Sequence, residues 1–250
     1  MSDNNYRDIQ QFALNVRKDV AKILHRTRDS HIGGGYSSID ILSVLYTRVL
    51  DISPENLDDP NRNVFILSKG HIAASLYTVL AHKGIIPMED LEKHVVDGEN
   101  YAGHSRRYVV PGVEMSAGSL GHGANVGIGM AYAKRCMGCA ARFSLSNLAL
   151  IIDRNRLQSY GSDVEVMNMG DMAQKFRSFG CNVQEINGHD YGQILKALMT
   201  STARMPSAPT VIVADTIKGK GASFMENRLE WHFKSPNDEQ LETILKELES

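Results

Sequence analysis

The apolar positions of this chain change period along its length, and the changes mark its elements. From Tyr6 to about Arg28, apolar residues fall at Ile9, Phe12, Ala13, Val16, Val20, Ile23 and Leu24, a spacing that puts them on one face of a helix. Ser37 and Asp40 are spaced as a capping-box variant opening a second helix through Val49. Val64 to Leu67 and Leu148 to Ile152 are short apolar runs bounded by polar turns, read as strands buried on both faces. Asp171 to Phe179 predicts a helix stopped by Gly180, Cys181 to Ile186 a strand, Tyr191 to Thr202 a helix and Thr210 to Ala214 another buried strand. Leu241, Ile244, Leu245 and Leu248 mark a closing amphipathic helix. Strands alternating with helices predict an α/β fold, a mostly parallel sheet with helices on both faces, in one domain spanning residues 1–250.

The candidate chemistry lies in the loops. Asp153 to Gln158 follows the central strand, and in open parallel sheets the carboxyl ends of strands are where ligands bind. Asn155 offers an amide oxygen and Leu157 a backbone carbonyl, which suits a hard cation; an ordinary Asx turn is the alternative. Ser68, Lys69, Gly70 and His71 join a strand to a helix start, where free N–H groups, the dipole and a cation favour an anion. His31 precedes Gly33, Gly34 and Gly35, which let the backbone turn sharply and approach another group closely. His104 sits beside Arg106 and Arg107 in a loop that could equally be a solvated basic turn. Glycines at 118, 121, 123, 127 and 129 cost too much helix propensity to be accidental, and point to a cofactor or a subunit contact.

Composition narrows the picture. The chain is 42% hydrophobic and 22% charged with a net charge of −2, giving no footprint for nucleic acid or an anionic membrane. The polar amino terminus and the absence of a long apolar run argue against a secretory signal or a membrane span, so a cytoplasmic protein is expected. Three cysteines, Cys136, Cys139 and Cys181, do not make a disulfide framework. Cys136 and Cys139 match C-x-x-C, but no second pair completes a zinc site.

Together these motifs resemble the amino-terminal, diphosphate-binding domain of the transketolase family. The markers run in order: His31 with Ser37, Ser38 and Asp40; Ile66 to His71; Gly103 and His104; Gly112 to Gly121; Asp153, Asn155 and Leu157; Gly188 to Asp190; and Lys218 to Gly221 with Trp231 and His232. The resemblance implies thiamine diphosphate as cofactor, tied to the protein by magnesium or calcium. It implies Asn155 and the Leu157 carbonyl as metal ligands, and His71 and His232 along the diphosphate. Gly118, Ser119 and Leu120 would form the loop against the cofactor's rings. His31, His104 and His232 would surround the sugar or sugar phosphate and act in catalysis, where histidines of near-neutral pKa suit proton shuttling.

Two departures follow. Fused relatives continue into a pyrimidine-binding domain that carries the catalytic glutamate; this chain does not. It therefore resembles the smaller subunit of a split transketolase, active only with a carboxy-terminal subunit and paired with it as a dimer of heterodimers. The family also carries a strand and a Gly-Asp-Gly-Glu turn, whose aspartate is a metal ligand, between the glycine-rich helix and the central strand. Here Ala131 to Arg135 meets Cys136 to Phe143 directly, so that segment is lacking near residues 135–136. A buried strand cannot be dropped lightly, since each unpaired backbone group costs about 1 to 3 kcal/mol against a total stability of about 5 to 15 kcal/mol. The expectation is therefore of residues missing from this sequence and a chain separation at the join well above the ~3.8 Å of a peptide unit. The resemblance implies an enzyme transferring a two-carbon ketol unit from a ketose to an aldose. Alternatives are a non-catalytic assembly subunit that no longer binds metal, or a thiamine enzyme of another substrate class, against which the histidines weigh.

Overall fold

The computed structural model describes residues 3–137, 147–202 and 208–249. Helix α1 (Arg7–Thr27) buries Ile9, Ala13, Val16, Val20, Ile23 and Leu24, the face that the spacing predicts, each large aliphatic contributing about 1.5 to 3 kcal/mol. A 3₁₀ turn at Asp3–Tyr6 precedes it.

Helix α2 (Ile32–Val44) differs from expectation: it starts at Ile32, five residues before Ser37, and every residue in it is buried. Gly33 to Gly35 form its first turn, not a flexible joint. The reason is packing: a Cβ on Gly35 would lie 2.4 Å from Ser75 Oγ, and one on Gly33 would lie 3.1 Å from the Trp231 carbonyl oxygen. Ser37 is no cap; its hydroxyl bonds the Gly34 carbonyl and the Asp153 carboxylate. A π turn, Leu45–Val49, completes the element.

The sheet has three parallel strands among the described residues, β1 (Ala149–Arg154), β2 (Asn182–Asn187) and β3 (Thr210–Asp215), in the order β1-β3-β2. Asp153 pairs with Ala214 and Ile186 with Ala214, so all three strands end at one level. Alternation along β3 sends Val211 and Val213 to a cluster with Ala173 and Phe176, while Ile212 and Ala214 join the large core built on α1 and α2. Helices α6 (Met172–Ser178) and α7 (Tyr191–Thr202) thus lie on opposite faces, which is the expected α/β layering. Helix α8 (Asp238–Glu247) closes the chain against α1 through Ile244.

Two strand expectations change. Val64 to Leu67 joins no sheet among the described residues, and Leu67 alone of the four is buried. β1 is an edge strand whose residues are half-buried or exposed instead of buried on both faces. Residues of both segments line one cavity.

Helix α4 (His122–Met137) follows the glycine-rich loop, and its Gly123 approaches the turn at Ser68. A Cβ there would lie 2.5 Å from Ser68 Cβ, and the Gly123 N–H donates to Ser68 Oγ at 3.1 Å. The helix runs unbroken through Arg135 and Cys136. Cys139 and Phe143 lie outside the described residues. Among the described residues, no helix is long and apolar enough to cross a membrane.

Candidate active site

A cavity of about 1390 Å³ runs along β1 and reaches the loops at its carboxyl end. The 3₁₀ turn Gly70–Ile72, leading into α3 (Ala73–His82), borders it on one side. Gly70 sits there without a side chain because a Cβ would meet the Ala117 carbonyl at 2.2 Å. That close approach seats the glycine-rich loop, so Gly118 and Leu120 line the cavity while Ser119, expected beside them, does not.

Four histidines from distant segments meet at one end. The His31 ring centroid lies 4.9 Å from that of His71, 5.0 Å from that of His232 and 6.1 Å from that of His104, and His71 and His232 stand 5.6 Å apart. His31 is held at a left-handed φ of 74°, and its N–H donates to the His232 carbonyl at 3.2 Å. Its Nδ1 is engaged by Ser30 Oγ at 2.9 Å. Lys218, 1% exposed, lies with Nζ 3.1 Å from His232 Nδ1. An ammonium can only donate, so the His232 ring proton sits on Nε2. His104 is exposed, open to a substrate.

The electrostatics are governed by burial and two lysines. Burial, then Lys69 and the neighbouring histidines, lowers His71 to about 3. Burial, then Lys218, lowers His232 to about 4. Burial and Lys69 together lower Lys218 to about 8, against Asp153, which raises it. His31 is also lowered, by burial first, with Asp29 opposing. At neutral pH His71 and His232 are uncharged rings in a positive field.

Asp153 is the hub beneath them. It accepts from Ser37 at 2.6 Å, Ser38 at 2.8 Å, Thr216 and Lys69. Burial would raise its pKa, but Lys69 and the hydroxyls outweigh that and hold it at about 2. Lys69, which the sequence suggested would face an anion, is thus committed to Asp153 and to the Gly34 carbonyl at 2.8 Å. Lys218 has no ion pair among the described residues.

Asn155 and Leu157 both line the cavity. Asn155 Oδ1 accepts the Leu157 N–H at 3.1 Å, and Arg156 has φ 62°, so the loop is an Asx turn at the mouth of the site. No group of three or more His, Cys, Asp or Glu able to hold a metal occurs among the described residues. The amide and carbonyl oxygens could furnish only part of a six-oxygen shell, the remainder falling to a ligand's own oxygens and water. The positive field and the open glycine loop do fit a diphosphate carried on an aromatic body.

Three contributors, Lys218, Asp153 and His189, stand within the sequence motifs without a role that the sequence assigns. His189 Nδ1 faces Asp40 Oδ2 at 2.7 Å, and its Nε2 accepts the Ile217 N–H at 2.8 Å, which fixes the loop carrying Lys218. Asp40 is also bidentate to buried Arg17, which with His189 holds its carboxyl well below the usual range against burial. Spacing gives no sign of such contacts, since Asp40 and His189 stand more than a hundred positions apart.

Comparison with known proteins agrees with this geometry. Residues 9–143 and 135–248 match the family described as transketolase, thiamine diphosphate binding domain. The chain is 32% identical to an apulose-4-phosphate transketolase subunit of Actinobacillus succinogenes, over 98% of this chain and 97% of that one. It is 32% identical to a 6-deoxy-6-sulfo-D-fructose transketolase subunit of a Clostridium species, over 97% and 96%. Among solved structures, transketolase from Leishmania mexicana superposes with a TM-score of 0.87 at 26% identity, covering 96% of this chain but only 41% of that longer one. The first alignment spans 269 positions against a chain of 250 residues, and the two family segments overlap at residues 135–143. The relatives therefore carry internal positions that this chain lacks. The chain belongs to the transketolase family and carries its thiamine diphosphate-binding domain.

Proposed function

We propose that this chain is the diphosphate-binding subunit of a transketolase divided between two polypeptides, which moves a two-carbon ketol unit from a ketose to an aldose. The observation that carries the reading is the convergence of His31, His71, His104 and His232 beside Lys218. When bound, thiamine diphosphate supplies the electron sink for breaking the carbon–carbon bond beside a ketose carbonyl. The chain's own residues do the rest. Lys218 and His71 favour the diphosphate, and the Gly118 to Leu120 loop leaves room for the rings. Asn155 and the Leu157 carbonyl would hold magnesium or calcium against the diphosphate. His232 donates through Nε2, and His31 and His104 exchange protons with sugar hydroxyls, roles that need uncharged rings at neutral pH. Several polar groups facing hydroxyls favour a sugar or sugar phosphate over the substrates of other thiamine enzymes.

A partner belongs to the same reading. The relatives that match over nearly their whole length are themselves named as transketolase subunits. Leu120, Ile128, Val164 and Met167 stand 46% to 65% exposed on and beside α4 and α5 (Asp163–Met167). We assign this surface to a carboxy-terminal, pyrimidine-binding subunit, in a dimer of heterodimers working in the cytoplasm. The chain is then a single domain over residues 1–250 that lacks one family strand near residues 135–136. The cavity between β1 and Val64 to Leu67 supports that assignment. Mixing the purified chain with its partner, cofactor and magnesium tests the reading: ketol transfer should need both polypeptides, and activity of this chain alone overturns it.

A further inference from the structure

Behind the histidines lies a carboxylate that does not line the cavity. Asp29 sits in the joint between α1 and α2, between the left-handed residues Arg28 (φ 55°) and His31 (φ 74°). Its Oδ1 accepts the Ser30 N–H at 2.8 Å, and its Oδ2 faces His94 Nε2 at 3.0 Å. The same oxygen abuts the loop opposite, since a Cβ on Gly103 would lie 3.1 Å from it. One carboxylate therefore touches both the backbone leading into His31 and the residue before His104.

His94 is built to hold that carboxylate. It is 1% exposed, with Nε2 on the carboxylate and Nδ1 without a hydrogen-bond partner among the described residues. Its ring packs on Tyr77, centroids 6.0 Å apart, and the Tyr77 hydroxyl donates to the Ala102 carbonyl at 3.2 Å. The next residue, Val95, takes a φ of 54° and donates its N–H to the Tyr101 carbonyl at 2.8 Å. A β-branched residue in that conformation is strained, and here the strain accompanies a fixed position for the 101–104 loop. Fixing two histidines from different segments requires a rigid tie between those segments.

We propose that Asp29, braced by His94, is a positioning residue of the ketol-transfer site, tying the joint that carries His31 to the loop that carries His104. The proposal rests on the function argued above. Asp29 also acts on His31 through charge: burial, His104 and Lys218 all lower the proton affinity of His31, and Asp29 opposes them. The other titratable groups packed on His31 among the described residues are the rings of His71 and His232.

The test uses the full chain labelled with ¹³C-histidine, reading the His31 ring titration by NMR, with the resonance assigned by its loss in His31→Gln. Asp29→Asn keeps the shape and removes the charge, so the His31 midpoint should fall by about half a unit or more. With the partner subunit, kcat of Asp29→Asn should fall about tenfold or more, with KM changing less. His94→Gln keeps the charge but loosens the brace, so its His31 midpoint should stay near that of the native chain while kcat falls several-fold. An unmoved His31 midpoint in folded Asp29→Asn, or unchanged kcat in both variants, overturns the proposal. Failure of the underlying function is distinguishable: the midpoint shift would persist while no chain, the native one included, supported ketol transfer.

Discussion

Lys69, in the turn before α3, donates its ammonium to the Asp153 carboxylate at the end of β1. The side chain of Asp153 is 7% exposed and that of Lys69 22%, so the pair is largely withdrawn from water and ties the sheet to the helical half of the chain. Removing one member of such a pair strands the other. Asp153→Asn should destabilise the chain by roughly 3 kcal/mol, read as a lower urea midpoint with unchanged slope. A change under about 0.5 kcal/mol, the range of a surface substitution, would show that the pair bears no weight.

Acidification should weaken the free chain early. His71 is lowered to about 3, so the folded ring stays neutral while an unfolded one takes up a proton below about 6.5. Its contribution to stability is complete above pH 6.5 and is lost as pH falls towards 3. Asp153, lowered to about 2, adds a second loss that begins only below about 3.8. Tm should therefore begin to drop at pH 6.5, and His71→Gln should flatten the slope between pH 6.5 and 4. Equal slopes in the two proteins would remove His71 as the cause.

In the assembled enzyme, His104→Ala and His232→Ala should each lower kcat by about 10² to 10⁴, the range for general acid–base groups. His104 is exposed and should cost almost no stability. Turnover at the native rate in both variants would return His104 to an ordinary basic turn.

The helical and strand pattern was legible where local order decides it: α1, α6, α7, β2 and β3 fall within two residues of the spans that periodicity predicts, and α8 contains or adjoins the four leucine and isoleucine positions that mark it. α2 was not, because its glycines are fixed by contact with Ser75 and Trp231, neighbours that the local sequence does not announce. Val64 to Leu67 has the composition of a strand but, among the described residues, no strand to pair with. In the site, His31, His71, His104 and His232 were readable from motif order, and the structure brings all four together. Asp153 as a hub, Lys218 beside His232 and the Asp29 to His94 contact were not, since each depends on long-range packing.

The open edge of β1 makes its own prediction. Among the described residues β3 is paired on both sides and β1 on one, so amides of β1 that face away from β3 should exchange with deuterium far faster than those of β3. Uniform protection along Ala149–Arg154 would mean that another strand occupies the cavity.

Calorimetric titration of thiamine diphosphate with magnesium, into this chain together with its carboxy-terminal partner, addresses the assignment most directly. We expect saturable binding of one cofactor per pair of subunits, weakened when Asn155 is replaced by Ala and when His71 is replaced by Gln. No binding by the native pair, at cofactor concentrations that saturate an intact transketolase measured alongside, would contradict the assignment.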